Sequence, residues 1–319
     1  MSIKIRNINS DIDNEIFFQL SFETLISMKG LPPSMSRTQY FDLLKPMVQD
    51  YINHLENNQI FIAENEQIGY MGHVWISMKD ELEPWEKYPY FWLHNITIKP
   101  EYRTMGIGTK LMEYAEQWVA KQNWEINKIG LHVNAENDHA LKLYEKFHYK
   151  TFKTQLYKNV NATTDLVISE YSFKLIKTEE EFLRVREHLL TRLRERAHKT
   201  ILEDSLKQKL DDYITKLRPS EDFSVFIGYN SDHEQTGYCI LSESELKYQK
   251  SVCIHEFGLY KQRDTITFLK SMISFIENWA YNRQISFIET SIYSVDHELL
   301  EIIKSNGLEQ FGFFMGKIL

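Results

Sequence analysis

Hydrophobic residues along this chain switch between a two-residue and a three-to-four-residue period. Ile3–Ile8 alternates weakly and reads as a strand. Asp11 and Asp13 stand at a plausible helix start, and Ile16, Leu20, Phe22, Leu25 and Ile26 follow at helical spacing. Gly30-Leu31-Pro32-Pro33-Ser34 breaks that helix, and a second is predicted from about Gln39 to His54. Gln59–Ala63 and Ile68–Met78 read as strands joined by the turn Glu64-Asn65-Glu66-Gln67. A loop with acids and aromatics precedes the strand Tyr90–Ile98. Thr109–Gln122 is an amphipathic helix that turns Leu111, Met112, Ala115, Trp118 and Val119 inward. A short buried strand, Lys128–Val133, a helix, Asp138–Lys146, and an extended stretch, Tyr149–Tyr157, complete the first half.

The polar, unpatterned segment Lys158–Asp165 is the best linker candidate. Beyond it the same order of elements recurs. Phe173–Ile176 is a strand, Glu179–Arg196 and Leu202–Leu217 are helices, and Phe223–Ile227 and Thr236–Ser242 are strands. At a constant offset, His94 maps to His255, Leu111 to Met272, Tyr114 to Phe275, Glu116 to Glu277 and Trp118 to Trp279. Asp138-His139 likewise matches Asp296-His297. A repeat of domain size points to duplication rather than a solenoid.

The chain has 319 residues, long enough for two domains with real cores. Its net charge is −8 and neither half is basic, so a dedicated nucleic-acid binder is not expected. Two cysteines, Cys239 and Cys253, make a disulfide framework or a Cys-only zinc site impossible, and no metal is expected. No apolar stretch is long enough to span a membrane, and the first residues have no apolar signal core, so a cytoplasmic protein is expected.

The most informative segment is Ile96-Thr97-Ile98-Lys99-Pro100-Glu101-Tyr102-Arg103-Thr104-Met105-Gly106-Ile107-Gly108. A strand runs into a turn and then a helix, with Arg-x-x-Gly-x-Gly between them. The first N–H groups of a helix have no partner within it, and with the helix dipole they form an anion site. Glycine lets backbone approach a phosphate closely, and Arg103 adds a fixed positive charge. The arrangement suits a pyrophosphate. It lacks the context of a dinucleotide fingerprint and the Gly-Lys-Ser/Thr of a Walker loop. A second segment, Asn134–Phe147, places Asn137, Ala140 and Tyr144 on one helical face.

Strand, Pro-x-Tyr-Arg-x-x-Gly-x-Gly, amphipathic helix, strand and Asn-x-x-Ala-x-x-Leu-Tyr-x-Lys resemble the GNAT superfamily of acyl-CoA-dependent N-acyltransferases. The resemblance covers the first half. It departs at His148, where the family usually has Gly. It implies an α/β (α+β) fold with a mixed, mostly antiparallel sheet and helices on both faces. It also implies acetyl-CoA as acyl donor, with its pyrophosphate held by Arg103, Thr104, Met105, Gly106, Ile107, Gly108 and Thr109. Backbone groups near Ile96 and Ile98 would bond the pantetheine and acyl carbonyl, and Asn137 and Ala140 would line the pantetheine arm. Tyr144 would be the general acid for the departing thiolate. Many members place a Glu early in the fourth strand, and here that position is Trp92. His94, two residues on, is the candidate base, with Glu81, Glu83, Glu86 or a water chain as alternatives. That a histidine recurs at position 255 also fits a packing role.

The acids of the loop from Lys79 and the aromatics that follow it, notably Glu81, Glu83, Trp85 and Trp92, suit a cationic amine. The expectation is therefore a GNAT acetyltransferase domain over 1–160, a linker over 161–170, and a degenerate, non-catalytic GNAT-like domain over 171–319. In the second copy Arg103, Gly106 and Gly108 become Asp264, Thr267 and Leu269, and Tyr144 falls on Ile302 or Ile303. The expected activity is transfer of an acetyl group to a primary amine on a small cationic molecule. The alternatives are a non-catalytic acyl-CoA- or partner-binding module, or an enzyme for protein N-termini or lysines. Oligomeric state is open between monomer and homodimer. Five of the eleven arginines fall at 184–196, which reads as a solvated helix with pairs along its own face.

Overall fold

The alternating stretches become strands and the helical-period stretches become helices in the computed structural model. It describes residues 2–29, 35–54, 58–79, 90–122, 127–160, 170–196, 204–246, 249–260 and 265–319. The chain divides into two units, one built mainly from residues before Phe152 and the other from Phe152–Phe313.

The first unit runs β1 (Lys4–Asn7), α1 (Asp11–Lys29), α2 (Arg37–His54), β2 (Gln59–Asn65), β3 (Gly69–Lys79), β4 (Tyr90–Ile98), α3 (Ile107–Ala120), β5 (Lys128–Asn134) and α4 (Asp138–Lys146). Its strands lie in the order β1-β2-β3-β4-β5. All neighbours are antiparallel except β4 and β5, which are parallel. Alternation along β3 sends His73 and Trp75 to one face, where Phe17 of α1 meets them with ring centroids 4.8 and 5.8 Å away. Val74 and its cross-strand partner Phe61 point the other way. There Phe61 packs on Tyr114 and Trp118 of α3. Helices therefore cover both faces. The inward stripe of α3 is Ile107, Leu111, Met112, Ala115 and Val119, all buried. Each such large side chain contributes roughly 1.5–3 kcal/mol by leaving water.

The second unit holds β6 (Lys150–Asn159), β7 (Ser172–Ile176), α5 (Glu179–Arg196), α6 (Asp204–Lys216), β8 (Phe223–Tyr229), β9 (Gln235–Leu246), β10 (Gln249–Leu259), α7 (Thr265–Tyr281), β11 (Phe287–Tyr293), α8 (His297–Ser305) and the start of β12 (Glu309–Ile318). Its strands follow the order β6-β11-β10-β9-β8-β7, with β10 and β11 as the parallel pair. Phe268, Leu269, Met272 and Ile276 of α7 form one core against β10 and β11 residues such as Ile254 and Ile288.

Two boundaries differ from the expected 1–160 and 171–319. The first unit ends at Thr151, because β6 pairs with β11 along Lys153–Asn159. Phe314–Leu319 belongs to the first unit. There the Leu319 N–H donates to the Asn127 carbonyl at 2.8 Å, and Lys317 forms an ion pair with Glu116 at 2.8 Å. Of the linker expected over 161–170, residues 161–169 lie outside the described residues, and Lys158 and Asn159 of the candidate segment Lys158–Asp165 belong to β6.

Candidate active site

The parallel pair β4–β5 is short. Phe91, Trp92 and Leu93 pair with Ile129, Gly130 and Leu131, and the pairing then stops. Both strands continue, to Ile98 and Asn134. The cause is a β-bulge. Against β3, Leu93 pairs with Ile76 and Asn95 with Trp75, so His94 is the extra residue. A bulge bends its strand and increases the local twist, which carries the end of β4 away from β5. Ile96 and Ile98 keep their partners on β3, Val74 and Gly72, and have no ladder on the β5 side. Asn134, at the far end of β5, has a buried Oδ1 with no hydrogen-bond partner among the described residues. A buried carbonyl without a donor is costly, and an amide-bearing ligand in the gap would supply one.

The turn at the end of β4 opens on α3. Pro100–Tyr102 is a single 3₁₀ turn, then Thr104 and Gly106 both adopt positive φ, 63° and 76°. Gly106 is the N-cap of α3, and a Cβ placed there would meet nothing within 4 Å. The glycine is thus needed for its backbone conformation and for an open approach to the first N–H groups of α3. Ile107 turns inward and is buried, while Met105 is half exposed beside the turn. Arg103 is exposed, and its Nε donates to the Ile98 carbonyl at 3.3 Å, fixing the guanidinium beside the strand end.

The second motif meets the first. Gly108 lies where a Cβ would touch Leu143 Cδ2 at 3.4 Å, and Lys146 Nζ donates to Thr109 Oγ1 at 3.4 Å. The start of α3 is therefore in contact with α4, and Lys146 brings a second cation to it. Asn137 caps α4 by accepting from the Ala140 N–H at 3.1 Å, so its carboxamide oxygen is engaged by its own helix. Tyr144 sits one turn further on and is buried, which raises its phenol above the ordinary range and keeps it protonated. Where the sequence departs from the family glycine, His148 itself takes the left-handed conformation, φ 65°, so the turn geometry survives.

His94 occupies a different setting. Its Nε2 lies 2.7 Å from Ser77 Oγ, and its ring stacks on Trp75 at 4.0 Å. Burial, helped by the positive charge of Lys79, pushes its pKa down to about 3. His73 on β3 was not anticipated. It is fully buried between Tyr70 (Oη to Nδ1, 2.8 Å) and Ser21 (Oγ to Nε2, 3.2 Å). Burial also takes His73 down to about 3. Trp92 packs between Tyr90 and Phe314. Glu81, Glu83, Trp85 and Glu86 lie outside the described residues. Asn134 was also missed as a site residue. Its signal in the sequence was a polar carboxamide that directly follows Val133 at the end of the strand.

Residues 28–149 match the family model described as the acetyltransferase (GNAT) family. The match to the GNAT family thus falls on the first unit, over residues 28–149. Solved structures extend the likeness in fold to the whole chain. A GCN5-related N-acetyltransferase from Sphaerobacter thermophilus aligns over 99% of this chain and 95% of its own, with 12% identity and a TM-score of 0.59. A GCN5-related glucosamine N-acetyltransferase region of a fungal multi-domain GH3 beta-N-acetylglucosaminidase aligns over 99% of this chain and 38% of its own, with 12% identity and a TM-score of 0.54. The GNAT fold thus accounts for both units, and their fold is the expected mixed, mostly antiparallel sheet between helices.

The second unit shows the same framework with different chemistry. Its parallel pair stops at Ile254 and Thr290, and a bulge skips His255 as the first skips His94. Ser242 Oγ lies 2.7 Å from His255 Nε2, the same contact as Ser77 with His94. Helix α7 begins at Thr265, so Thr267 and Leu269 lie inside the helix rather than in a turn. In α8 the seventh residue, matching Tyr144 in α4, is the fully buried Ile303.

Proposed function

We propose that the first unit transfers an acetyl group from acetyl-CoA to a primary amine on a small cationic molecule, by direct attack on the thioester. The supporting observation is the opening between β4 and β5, which leads from the unladdered edge at Ile96 and Ile98 to the left-handed Gly106 at the start of α3. The residues present fit the donor. Backbone N–H groups from Gly106 to Thr109, with Arg103, would hold the pyrophosphate, and the buried Asn134 Oδ1 would accept from a pantetheine amide. The donor supplies an acyl group activated as a thioester.

The chain's own residues do the rest. Unladdered backbone N–H groups of β4 beyond the bulge can donate to negative charge developing on the acyl oxygen. Tyr144, kept neutral by burial, holds the proton that the departing thiolate needs. His94 is a poor base in this reading. A ring whose pKa lies near 3 accepts a proton from an alkylammonium very unfavourably, and its Nε2 is already engaged by Ser77. We therefore assign His94 to holding the bulge and leave deprotonation of the amine to water or to acids of the loop before β4.

The second unit is read as a duplicated copy that does not bind acetyl-CoA in this way, since the αL glycine turn is replaced by the early start of α7. A cytoplasmic location is part of the same proposal. The test is acetyl-CoA turnover with a panel of amines, comprising aminoglycosides, polyamines, amino acids and peptides. Transfer to at least one small amine is expected, and binding without turnover across the panel would favour a non-catalytic acyl-CoA module.

A further inference from the structure

The second unit keeps the opening between its parallel strands but furnishes it with charge. A cavity of about 530 Å³ lies between the end of β10 and the start of α8, walled on one side by α5. Its apolar floor includes Phe257, Leu269 and Ile302. Above that floor, Arg192 of α5 lies between two carboxylates, 3.8 Å from Glu256 and 3.5 Å from Asp296. Glu256 is almost completely buried, at 4% exposure.

Asp296 is informative in a second way. It is the N-cap of α8, yet its side chain makes no capping bond, whereas Asn137 at the same place in α4 does. A capping side chain normally satisfies one of the free N–H groups at a helix start. Asp296 forgoes that contact and faces Arg192 instead. Glu195 and Glu298, both exposed, stand at the rim. His188 lies beside Arg192 with its pKa lowered by burial and by that neighbour.

We propose that this cleft binds a free basic α-amino acid. Arg192 takes the carboxylate, Asp296 takes the α-ammonium, and the side-chain cation reaches the acids at the rim while its methylenes lie on the apolar floor. The order of charges, a guanidinium flanked by carboxylates with more acids outside, matches a zwitterion carrying an additional positive group. The cavity is of the size usual for small-molecule sites. The proposal is independent of acetyl transfer in the first unit.

The experiment is calorimetric titration of the full chain with L-arginine. Saturable one-site binding is expected. Agmatine, which lacks the carboxylate, and L-leucine, which lacks the side-chain cation, should each bind at least about tenfold more weakly, as the loss of one charged hydrogen bond requires. Arg192→Gln and Asp296→Asn should weaken L-arginine similarly, with thermal unfolding confirming that each variant is folded. Gly106→Glu should leave it unchanged, which separates this site from the first unit's. The proposal is overturned by no saturable binding at millimolar L-arginine, by agmatine binding as well as L-arginine, or by loss of binding in Gly106→Glu.

Discussion

His94 Nε2 and Ser77 Oγ stand 2.7 Å apart across the β4 bulge, and His255 and Ser242 repeat that contact at the same distance in the second unit. A contact kept in the second unit, where the positions matching the Gly106 turn lie inside α7, is expected to serve the bulge. His94→Gln should therefore lower kcat less than about tenfold, because it removes no proton-transfer step worth 10²–10⁴. The pH dependence of kcat/KM should keep its shape. Loss of one limb of that profile in the variant would restore His94 as the base.

Gly106→Glu should abolish acetyl-CoA binding. It forces a side chain into a φ of 76° and sets a negative charge beside the first N–H groups of α3. Calorimetry with acetyl-CoA checks this, and retained affinity would remove the pyrophosphate assignment.

Tyr144→Phe should reduce kcat by roughly 10²-fold, the low end for loss of a general acid, with little change in acetyl-CoA affinity. The ring's packing against Tyr149, centroids 5.9 Å apart, is preserved by Phe. Stopped-flow or steady-state rates on any confirmed amine decide the matter. An unchanged kcat would reduce Tyr144 to an anchor of α4.

Acid should destabilise the fold before its carboxylates titrate. His73 and His94 both sit near pKa 3, below the ordinary value for histidine. From about pH 6.5 down to about pH 3, the unfolded chain takes up protons on these rings that the folded chain refuses. Stability is therefore full above pH 6.5 and falls as the pH falls, by up to about 1.4 kcal/mol per pH unit per ring. Urea midpoints between pH 7 and pH 4.5 measure the slope, and His94→Asn should reduce it.

Removing Phe314–Leu319 should loosen the first unit. It takes Phe314 from His132, 5.0 Å between centroids, and Lys317 from Glu116. A loss of at least about 2 kcal/mol is expected from the aromatic packing alone. Hydrogen exchange in Lys128–Asn134 should rise. Unchanged protection there would show that β5 does not depend on these residues.

How far the sequence carried can be seen residue by residue. The β4 and α4 limits were legible because alternation and helical spacing are local signals, and both elements run as expected, Tyr90–Ile98 and Asp138–Lys146. The Gly106 turn was legible for the same reason. The His94 bulge was not, because a bulge is defined by which partner residue is skipped, and pairing is invisible in a single strand. The place of Phe314–Leu319 was equally hidden, since it rests on contacts such as Lys317 with Glu116, 201 positions earlier. The arginines at 184–196 were read as a solvated face with pairs along it. Arg184 instead reaches Gln235 and the Tyr260 ring, Arg186 reaches Asp211, and Arg192 reaches Glu256 and Asp296.

The membership of Phe314–Leu319 in the first unit also bears on synthesis. Translation runs in one direction, at roughly 5–20 residues per second. The ribosome must make all of Phe152–Phe313 before it makes the piece that the first unit still needs. For something on the order of ten seconds or more, a nascent first unit lacks the bond from Leu319 to the Asn127 carbonyl just before β5 and the ion pair from Lys317 to Glu116 of α3. The two ends of the first unit are thus separated in time by the synthesis of the second.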